Sequence, residues 1–165
     1  MNTNASLNNY EIYWSWKMNS VSWTSIGIPV PQGSKSYVGN GIMIEANKAL
    51  PSWRQQMVND IIRAADGQNF TEGVAITLAF RFPRLKAHYN SKGELKKNAP
   101  NFKTTKPDLD KLCRACLDAS ALAGVIRNDS LCYALSAIKV YCDEGQHPGV
   151  TGTISLLVWL LKKKF

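Results

Sequence analysis

The sequence predicts an α+β fold, a small mixed β-sheet with two main helices packed on one face. Strand-like and helix-like patterns follow one another in the order β-α-β-α-β-β, which is typical of this class. The chain has 165 residues, a length that suits one domain. Hydrophobic residues make up 45% of it, enough to form a core and to exclude a wholly disordered chain.

The chain begins with a segment that we set apart from the fold proper. Residues 1–20 are rich in Asn and Ser, yet they carry aromatic side chains between Tyr10 and Trp16. We expect this segment to be either an N-terminal extension or an edge strand. We assign residues 21–161 to a single domain and residues 162–165 to a basic tail.

The first half of the domain is predicted to form a strand and a helix. The strand covers residues 21–28, where VSWTSIGI has strand composition and precedes Pro29. A turn-rich loop, PVPQGSKSYVGNG, leads to a helix that is predicted from a cap at Asn47 to a stop at Gly67. Pro51 lies in its first turn, where a missing N–H costs little. The apolar positions with the spacing of one buried helical face are Leu50, Trp53, Met57, Ile61 and Ala64.

The second half is predicted to contain three strands and a second helix. VAITLAFRF alternates and predicts a strand over 74–82. A long loop follows, and a helix is then predicted over 108–121, introduced by Pro107 and ended by Ala123-Gly124. Two further strands are predicted over 131–141 and 153–161. The apolar face of the second helix consists of Leu109, Leu112, Cys113, Cys116 and Leu117.

The net charge of +8 and the pI of about 9.4 suggest a polyanionic partner. Cations concentrate in a stretch that contains Pro83, Gly93 and Pro100, so this stretch is a loop and no amphipathic helix. A long basic loop is what a phosphate backbone attracts, although a solvated surface loop would have the same composition. The cations are Arg84, Lys86, Lys92, Lys96, Lys97, Lys103, Lys106 and Lys111.

Other classes of protein and of site fit the sequence less well. No apolar run approaches the roughly 20 residues of a membrane span, and the N-terminus lacks a secretory pattern, so we expect an intracellular protein with reduced cysteines. Cys113-x-x-Cys116, with Cys132 and Cys142, invites a zinc interpretation. Core thiols are favoured because the first two lie on the apolar helix face. The histidines expected to be solvent-exposed are His88 and His147.

Three carboxylates form the strongest chemical pattern. Asp108 and Asp110 lie at a prolyl helix entry, where side chains two apart can face one side, and Asp129 follows in a short loop. Three such acids would repel one another, and a divalent cation relieves that repulsion. Oxygen ligands suit Mg²⁺ or Mn²⁺, which can activate water against a phosphodiester. The alternative is a helix N-terminal acid, a surface acid and a turn residue without a shared site.

The segment KPDLDKLCRACLDA, followed by GVIRNDS, resembles the RusA family of Holliday-junction resolvases, which is common in phages and prophages. The family pattern is (K/R)-P-D-x-D-N-L-x-K-x-x-x-D-A-L, then a short loop and an Asp-Asp pair. The upstream PVPQGSKSYVGNG, with a Trp-Arg pair in the first helix, is similar to that family as well. The similarity covers most of the chain, from about Ile26 to Leu157.

The resemblance implies catalytic and metal-binding roles for Asp108, Asp110 and Asp129. Three positions depart from the pattern. Asn128 replaces the first acid of the Asp-Asp pair, Lys111 stands where the family has Asn, and Arg114 stands where it has Lys. Arg114 can stabilise phosphate charge, but an arginine is a poor proton donor. Asp118 matches the later acid of the motif, for which we predict a structural or supporting role.

We therefore predict a Mg²⁺-dependent structure-selective endodeoxyribonuclease that cuts four-way DNA junctions in recombination and repair. The resemblance implies a homodimer and, if the gene belongs to a phage or prophage, the cytoplasm of a bacterial host. The alternative is a non-catalytic DNA-binding protein that keeps the fold. An acidic membrane surface is not the predicted partner, since the sequence shows no amphipathic basic helix. The predicted DNA-binding residues are Lys35, Lys86, Lys92, Lys96, Lys97, Lys103, Lys106 and Lys111.

Overall fold

The computed structural model describes residues 5–7, 10–14, 19–33, 35–37, 39–40, 43–45, 47–156 and 159–163, with side chains for 19–33, 39–40 and 47–156. The strands are β1 (Ala5–Leu7), β2 (Tyr10–Trp14), β3 (Ser20–Ile26), β4 (Lys35–Tyr37), β5 (Met43–Glu45), β6 (Val74–Phe82), β7 (Cys132–Tyr141), β8 (Gly149–Ser155) and β9 (Trp159–Lys163). The helices are α1 (Leu50–Ala65) and α2 (Leu109–Leu122), with short 3₁₀ turns at Lys86–His88 and Asp129–Leu131.

The main sheet has four strands in the order β3-β8-β6-β7. β6 is parallel to β7 and antiparallel to β8, which is also antiparallel to β3, so the sheet is mixed. Along β6, one face is buried at every second residue: Val74, Ile76, Leu78, Phe80 and Phe82. These side chains form one core with the buried faces of α1 and α2. This arrangement confirms the predicted α+β class.

Helix α1 forms largely as its sequence pattern predicts. Leu50, Met57 and Ile61 are fully buried, Pro51 lies in the first turn, and the helix ends where Asp66 adopts a left-handed conformation with φ 47°. The prediction for Ala64 is wrong, since Ala64 is exposed and Ala65 is the buried residue in the last turn. Asn47 was expected to cap the helix and does not. Its side-chain oxygen accepts the N–H of Ala49 at 3.1 Å, which forms a turn before the helix begins.

Helix α2 connects the parallel strands β6 and β7 and lies over the core beside α1. Leu112, Cys116 and Ala119 are almost completely buried. The thiol of Cys116 lies 3.7 Å from the sulfur of Met57 on α1, so the two helices are in direct contact. The predicted core placement of this helical face is therefore confirmed.

The end of the chain differs from the sequence prediction. The single strand expected over 153–161 is two strands, β8 in the main sheet and β9 in a second sheet of order β1-β2-β9. β2 pairs with both β1 and β9, so it is the central strand of this sheet, and β1 is an edge strand. β9 includes Lys162 and Lys163. Residues 164 and 165 lie outside the described residues. In the part of the chain that is described, no helix is long and apolar enough to cross a membrane.

Candidate active site

The entry to α2 holds the first two predicted carboxylates. Asp108 is the last extended residue before the helix, with φ −69° and ψ 139°, and Asp110 lies in the first turn. Both side chains are exposed. The ammonium group of Lys111 lies 3.3 Å from Oδ2 of Asp108, and both partners of this ion pair are about half exposed. Asp108 is thus presented at the surface with a cation beside it.

The turn before Asp108 is held by a lysine that the sequence pattern did not single out. Nζ of Lys139, on β7, donates to the backbone carbonyl oxygens of Thr105 at 2.9 Å and of Pro107 at 2.7 Å. These hydrogen bonds fix the backbone that leads into the helix. The available signal was weak, a single cation within the otherwise uncharged strand LCYALSAIKVY.

A buried polar contact fixes the other side of the helix entry. The backbone N–H of Gln32 donates to the carbonyl of Lys111 at 3.0 Å, and its side-chain oxygen accepts from Nη2 of Arg54 at 3.2 Å. Arg54 also pairs with Asp118 on α2 at 3.9 Å. The loop after β3, α1 and α2 are therefore tied together through Arg54. The structural or supporting role of Asp118 stays a prediction.

Asp110 and Arg114 line one surface groove of about 450 Å³ together with Cys113 and Leu135. The groove runs between α2 and the edge strand β7. Burial raises the pKa of the Cys113 thiol to about 11, and the carboxylate of Asp110 contributes to the same increase. Arg114 is exposed and lies one helical turn after Asp110. A phosphate in this groove would therefore meet a carboxylate and a guanidinium together.

Asp129 lies in the 3₁₀ turn that precedes β7 and is exposed. Burial raises the pKa of the Cys132 thiol, and the carboxylate of Asp129 raises it further. Cys132 in turn contributes to the raised pKa of the Cys113 thiol. The two acids Asp110 and Asp129 therefore act electrostatically on neighbouring thiols at the junction of α2 and β7. Asn128 stabilises the turn, since its side chain accepts the N–H of Ser130 at 3.1 Å.

The donor chemistry fits a hard divalent cation, because Asp108, Asp110 and Asp129 offer carboxylate oxygens only. Their arrangement is incomplete, however. Among the described residues, no group of three or more His, Cys, Asp or Glu side chains is placed to hold a metal ion. The assignment of Asp108, Asp110 and Asp129 as one metal site stays a prediction.

The basic loop is the segment 83–107 between β6 and α2. Some of its cations make contacts within the protein, and others are exposed without such a contact. Arg84 is almost completely buried and donates to the carbonyls of Cys142 at 2.9 Å and Pro100 at 3.0 Å, so it anchors the loop to the end of β7. Lys96 donates to the carbonyl of Ala87. The side chain of Lys35 lies outside the described residues. The exposed lysines that pair with no described residue are Lys86, Lys92, Lys97 and Lys106.

Lys103 is one of the cations that make contacts within the protein. Its ammonium group donates to the hydroxyl of Thr105 at 2.7 Å and lies 5.3 Å from the ring centre of Phe82 and 5.6 Å from that of Tyr141. One cation therefore attaches the loop to two aromatic rings at the ends of β6 and β7.

The expected exposure of His88 is wrong. His88 is buried, and its ring meets Tyr141 edge to face with centroids 4.5 Å apart. His88 lies in the basic loop itself, and its contact with Tyr141 attaches this part of the loop to the end of β7. His147 is exposed as expected. Three of the four thiols are buried in agreement with the core interpretation: Cys113, Cys116 and Cys142.

A known protein family matches most of the chain. The family model described as Endodeoxyribonuclease RusA matches residues 27–154, from the end of β3 to the end of β8. The chain belongs to the RusA endodeoxyribonuclease family. The resemblance noted in the sequence is thereby confirmed. A search of curated proteins finds no match.

Within the RusA family pattern, the departures of this chain lie around the helix entry and the 3₁₀ turn. Lys111 pairs with Asp108, Arg114 shares a groove with Asp110, and Asn128 precedes Asp129 and hydrogen-bonds within its own turn. The first two departures add or keep positive charge next to the predicted carboxylates. The third removes a negative charge.

Proposed function

We propose that this RusA family member is a structure-selective endodeoxyribonuclease that resolves four-way (Holliday) DNA junctions by Mg²⁺-dependent hydrolysis. One observation supports the proposal most: Asp108 and Asp110 are both exposed at a helix entry directly after a basic loop. Carboxylates are the ligand type that Mg²⁺ prefers, and lysines are the side chains that a phosphate backbone attracts, so their closeness in the chain supports the proposal. We further propose that it acts in the cytoplasm of a bacterial host.

The carboxylates would hold the cation, and the other side chains would act on the DNA. When bound, Mg²⁺ (or Mn²⁺) supplies positive charge and an activated water. Asp108, Asp110 and Asp129 would be its ligands. Arg114 would donate hydrogen bonds to the phosphate as negative charge builds up on its oxygens. Lys139 would be a positioning residue, because it holds the carbonyl groups on either side of Lys106, just before Asp108.

The DNA backbone would follow the exposed lysines of the loop into this site. Lys86, Lys92, Lys97 and Lys106 are exposed, so each can reach a phosphate. Lys96 and Lys103 are partly committed to contacts within the protein. They would contribute to the local potential and make weaker direct contacts.

We propose a homodimer, because two strands of the junction must be cut. A two-fold dimer matches a two-fold substrate. The edge strand β7 offers a candidate dimer face, since Tyr133, Leu135 and Ile138 are 52%, 45% and 47% exposed. Leu135 also lines the groove of Asp110, so a second copy there would contact the site.

One observation favours the alternative of a non-catalytic DNA-binding protein. The ammonium group of Lys111 lies on Asp108, where the RusA pattern has a neutral Asn, and Asn128 removes a nearby acid. Both changes reduce the negative charge that attracts a divalent cation. The exposure of the Lys111–Asp108 pair weakens this objection, since such pairs contribute only about 0–1 kcal/mol.

A nicking assay on a synthetic mobile four-way junction tests the proposal. With Mg²⁺ we expect symmetric nicks on opposing strands, and none with EDTA. Asp110→Asn should abolish cleavage and leave junction binding intact or tighter, because it removes a ligand charge and a repulsion toward phosphate. Asp66→Asn is the matched control, an exposed acid at the end of α1, and should cut like the wild type. Binding without cleavage by the wild type would favour the alternative.

A further inference from the structure

A second groove, of about 400 Å³, adjoins the helix entry and has no role so far. It lies between the linker 28–31 after β3, the end of β6 and the loop segment around Lys103 and Lys106. Its volume is at the lower end of the roughly 300–1,000 Å³ typical of small-molecule sites. Pro107 lines it, and the next residue is Asp108. The groove and the candidate active site are therefore contiguous.

The walls of this groove are apolar and partly open to solvent. Pro29 and Phe82 are buried and form its inner surface. Ile28 and Leu85 are 61% and 51% exposed. Large aliphatic side chains on opposite segments with this much exposure provide two surfaces that a flat ring can contact. An exposed apolar patch that is rimmed by polar groups is a candidate binding site.

The polar groups at the groove select for negative charge. Lys103 and Lys106 both line it. The ammonium group of Lys103 is held by the hydroxyl of Thr105 and lies over the ring of Phe82. Among the described residues that line it, none is acidic. The Asn47 oxygen accepts from Ala49, and its amide nitrogen donates to no described residue, so it remains available for a ring acceptor. A ligand with an apolar ring and a phosphate complements this arrangement.

We propose that the groove binds an unpaired nucleobase of branched DNA beside the phosphate that is cut, with Lys106 on a flanking phosphate and Lys103 adding positive charge to the groove. This inference rests on the proposed function. Bases at a branch point lack a complete stack, and single unpaired bases are bound through their faces on flat protein surfaces. Contact through the ring faces tolerates any base. The groove would therefore recognise the branch and not a sequence.

The test uses the full chain with junction DNA in EDTA, so that binding is measured without cleavage. 2-Aminopurine replaces one base at the branch point or, as a reference, one base within an arm. We expect binding to increase the fluorescence of the branch-point probe, because aliphatic walls quench it less than neighbouring bases do. The arm probe should not respond.

The variant that tests the groove is Ile28→Ser, and its matched control is Ile62→Ser, a 50% exposed isoleucine on α1. Ile28→Ser should abolish the fluorescence increase and weaken junction binding by up to about fivefold, the equivalent of 1 kcal/mol, with duplex binding unchanged. Ile62→Ser should behave like the wild type. Thermal unfolding of both variants checks that each is folded.

The outcomes separate this inference from the proposed function. Wild-type binding to the junction without a branch-point signal, or an Ile28→Ser variant that retains the signal, overturns the inference alone. No preference of the wild type for the junction over duplex overturns the proposed function, and the inference with it. Loss of self-association in Ile28→Ser would make the groove a protein interface and would also overturn the inference.

Discussion

At the scale of single residues, the contact between Lys111 and Asp108 has the clearest consequence. A cation 3.3 Å from a predicted metal ligand competes with the metal for the same oxygen. Because both side chains are about half exposed, water screens the pair, and it contributes no more than about 1 kcal/mol. The pair can therefore open when Mg²⁺ binds, at the cost of a higher Mg²⁺ requirement.

Lys111→Asn should lower the Mg²⁺ concentration for half-maximal nicking by up to about fivefold, the equivalent of 1 kcal/mol. The substitution removes the competing charge and restores the residue of the RusA pattern. The measurement is the nicking rate on a four-way junction as Mg²⁺ is titrated. Lys92→Asn is the control, since it removes the same charge from an exposed loop position. An unchanged half-saturation in Lys111→Asn would show that the ion pair does not affect the metal.

The sequence could predict the residues of the candidate site where the residues in contact are close together in the chain. Asp108 and Asp110 form a local motif, and the pairing of Asp108 with Lys111 follows from three-residue spacing. Lys139 could not be found in this way, because its contacts are 32 and 34 residues away and arise only when β7 passes the helix entry. His88 was misjudged for the same reason, since its partner Tyr141 is distant in sequence.

At the scale of elements, the basic loop is an anchored structure and not a loose charged segment. Its backbone pairs with β7, where Lys103 donates to Lys139 and Tyr141 donates to Asn101. The guanidinium of Arg84 donates hydrogen bonds to the carbonyls of Pro100 in the loop and of Cys142 after β7, which holds the loop in place. The cations of the loop therefore differ in what they can offer to DNA, although the sequence alone suggests that they are equivalent.

Lys97→Gln should weaken junction and duplex binding alike and should reduce the slope of log K against log salt concentration by about one unit. Lys97 is exposed and pairs with no described residue, so its charge is available to a phosphate. Lys96→Gln should change the slope less, because Lys96 already donates to Ala87. The measurement is a binding titration at several salt concentrations. Equal slopes for Lys97→Gln and the wild type would place this part of the loop away from DNA.

Helix α2 makes the stability of the protein sensitive to alkaline pH. Burial, assisted by Asp110, raises the pKa of Cys113 from 9.0 to about 11. The unfolded chain therefore loses this proton at a lower pH than the folded chain. The stabilisation is complete below about pH 9 and decreases as the pH rises toward 11.

Urea unfolding at pH 8 and pH 10 measures this effect. The free energy of unfolding should decrease by about 1 kcal/mol through Cys113 alone, the value for a shift of this size halfway through the window. Cys113→Ala should be less stable at both values of pH because it leaves a small cavity, but its decrease between them should be smaller. Parallel behaviour of the variant and the wild type would show that Cys113 is ionised in the folded chain at pH 10.

The sequence predicted a strand correctly where the whole run of residues belongs to one sheet, as in β6. VAITLAFRF alternates over the length of β6, because β6 has neighbours on both sides and one buried face throughout. The run from 153 to 161 failed as a prediction, since continuous apolar residues do not show where pairing changes. Ser155 pairs with β3 and β6, whereas Trp159 already pairs with β2.

At the scale of the whole molecule, the candidate site depends on segments that are far apart in the chain. The loop after β3, α1 and α2 meet through Gln32, Arg54 and Asp118, and β7 adds Lys139. Each of these contacts joins residues separated by more than 20 positions. A local pattern can therefore name the carboxylates at the site, but only the fold shows what orients them.

The edge strand β7 is covered by the basic loop only near its end, at Lys139 and Tyr141. Its earlier half presents exposed apolar side chains beside the groove of Asp110. A second copy on this edge would bury them and would bring two helix entries into one two-fold assembly.

We therefore expect a dimer of twice 18.3 kDa by light scattering at micromolar concentration. Leu135→Lys should convert it to monomers, because it places a charge where 45% of an aliphatic side chain is now exposed and would be buried by the partner. It should also lose symmetric double nicking of the junction, since each cut needs its own site. Ile62→Lys, at a similarly exposed position on α1, is the control and should remain dimeric. A mass near 18 kDa that neither concentration nor junction DNA changes would rule the dimer out.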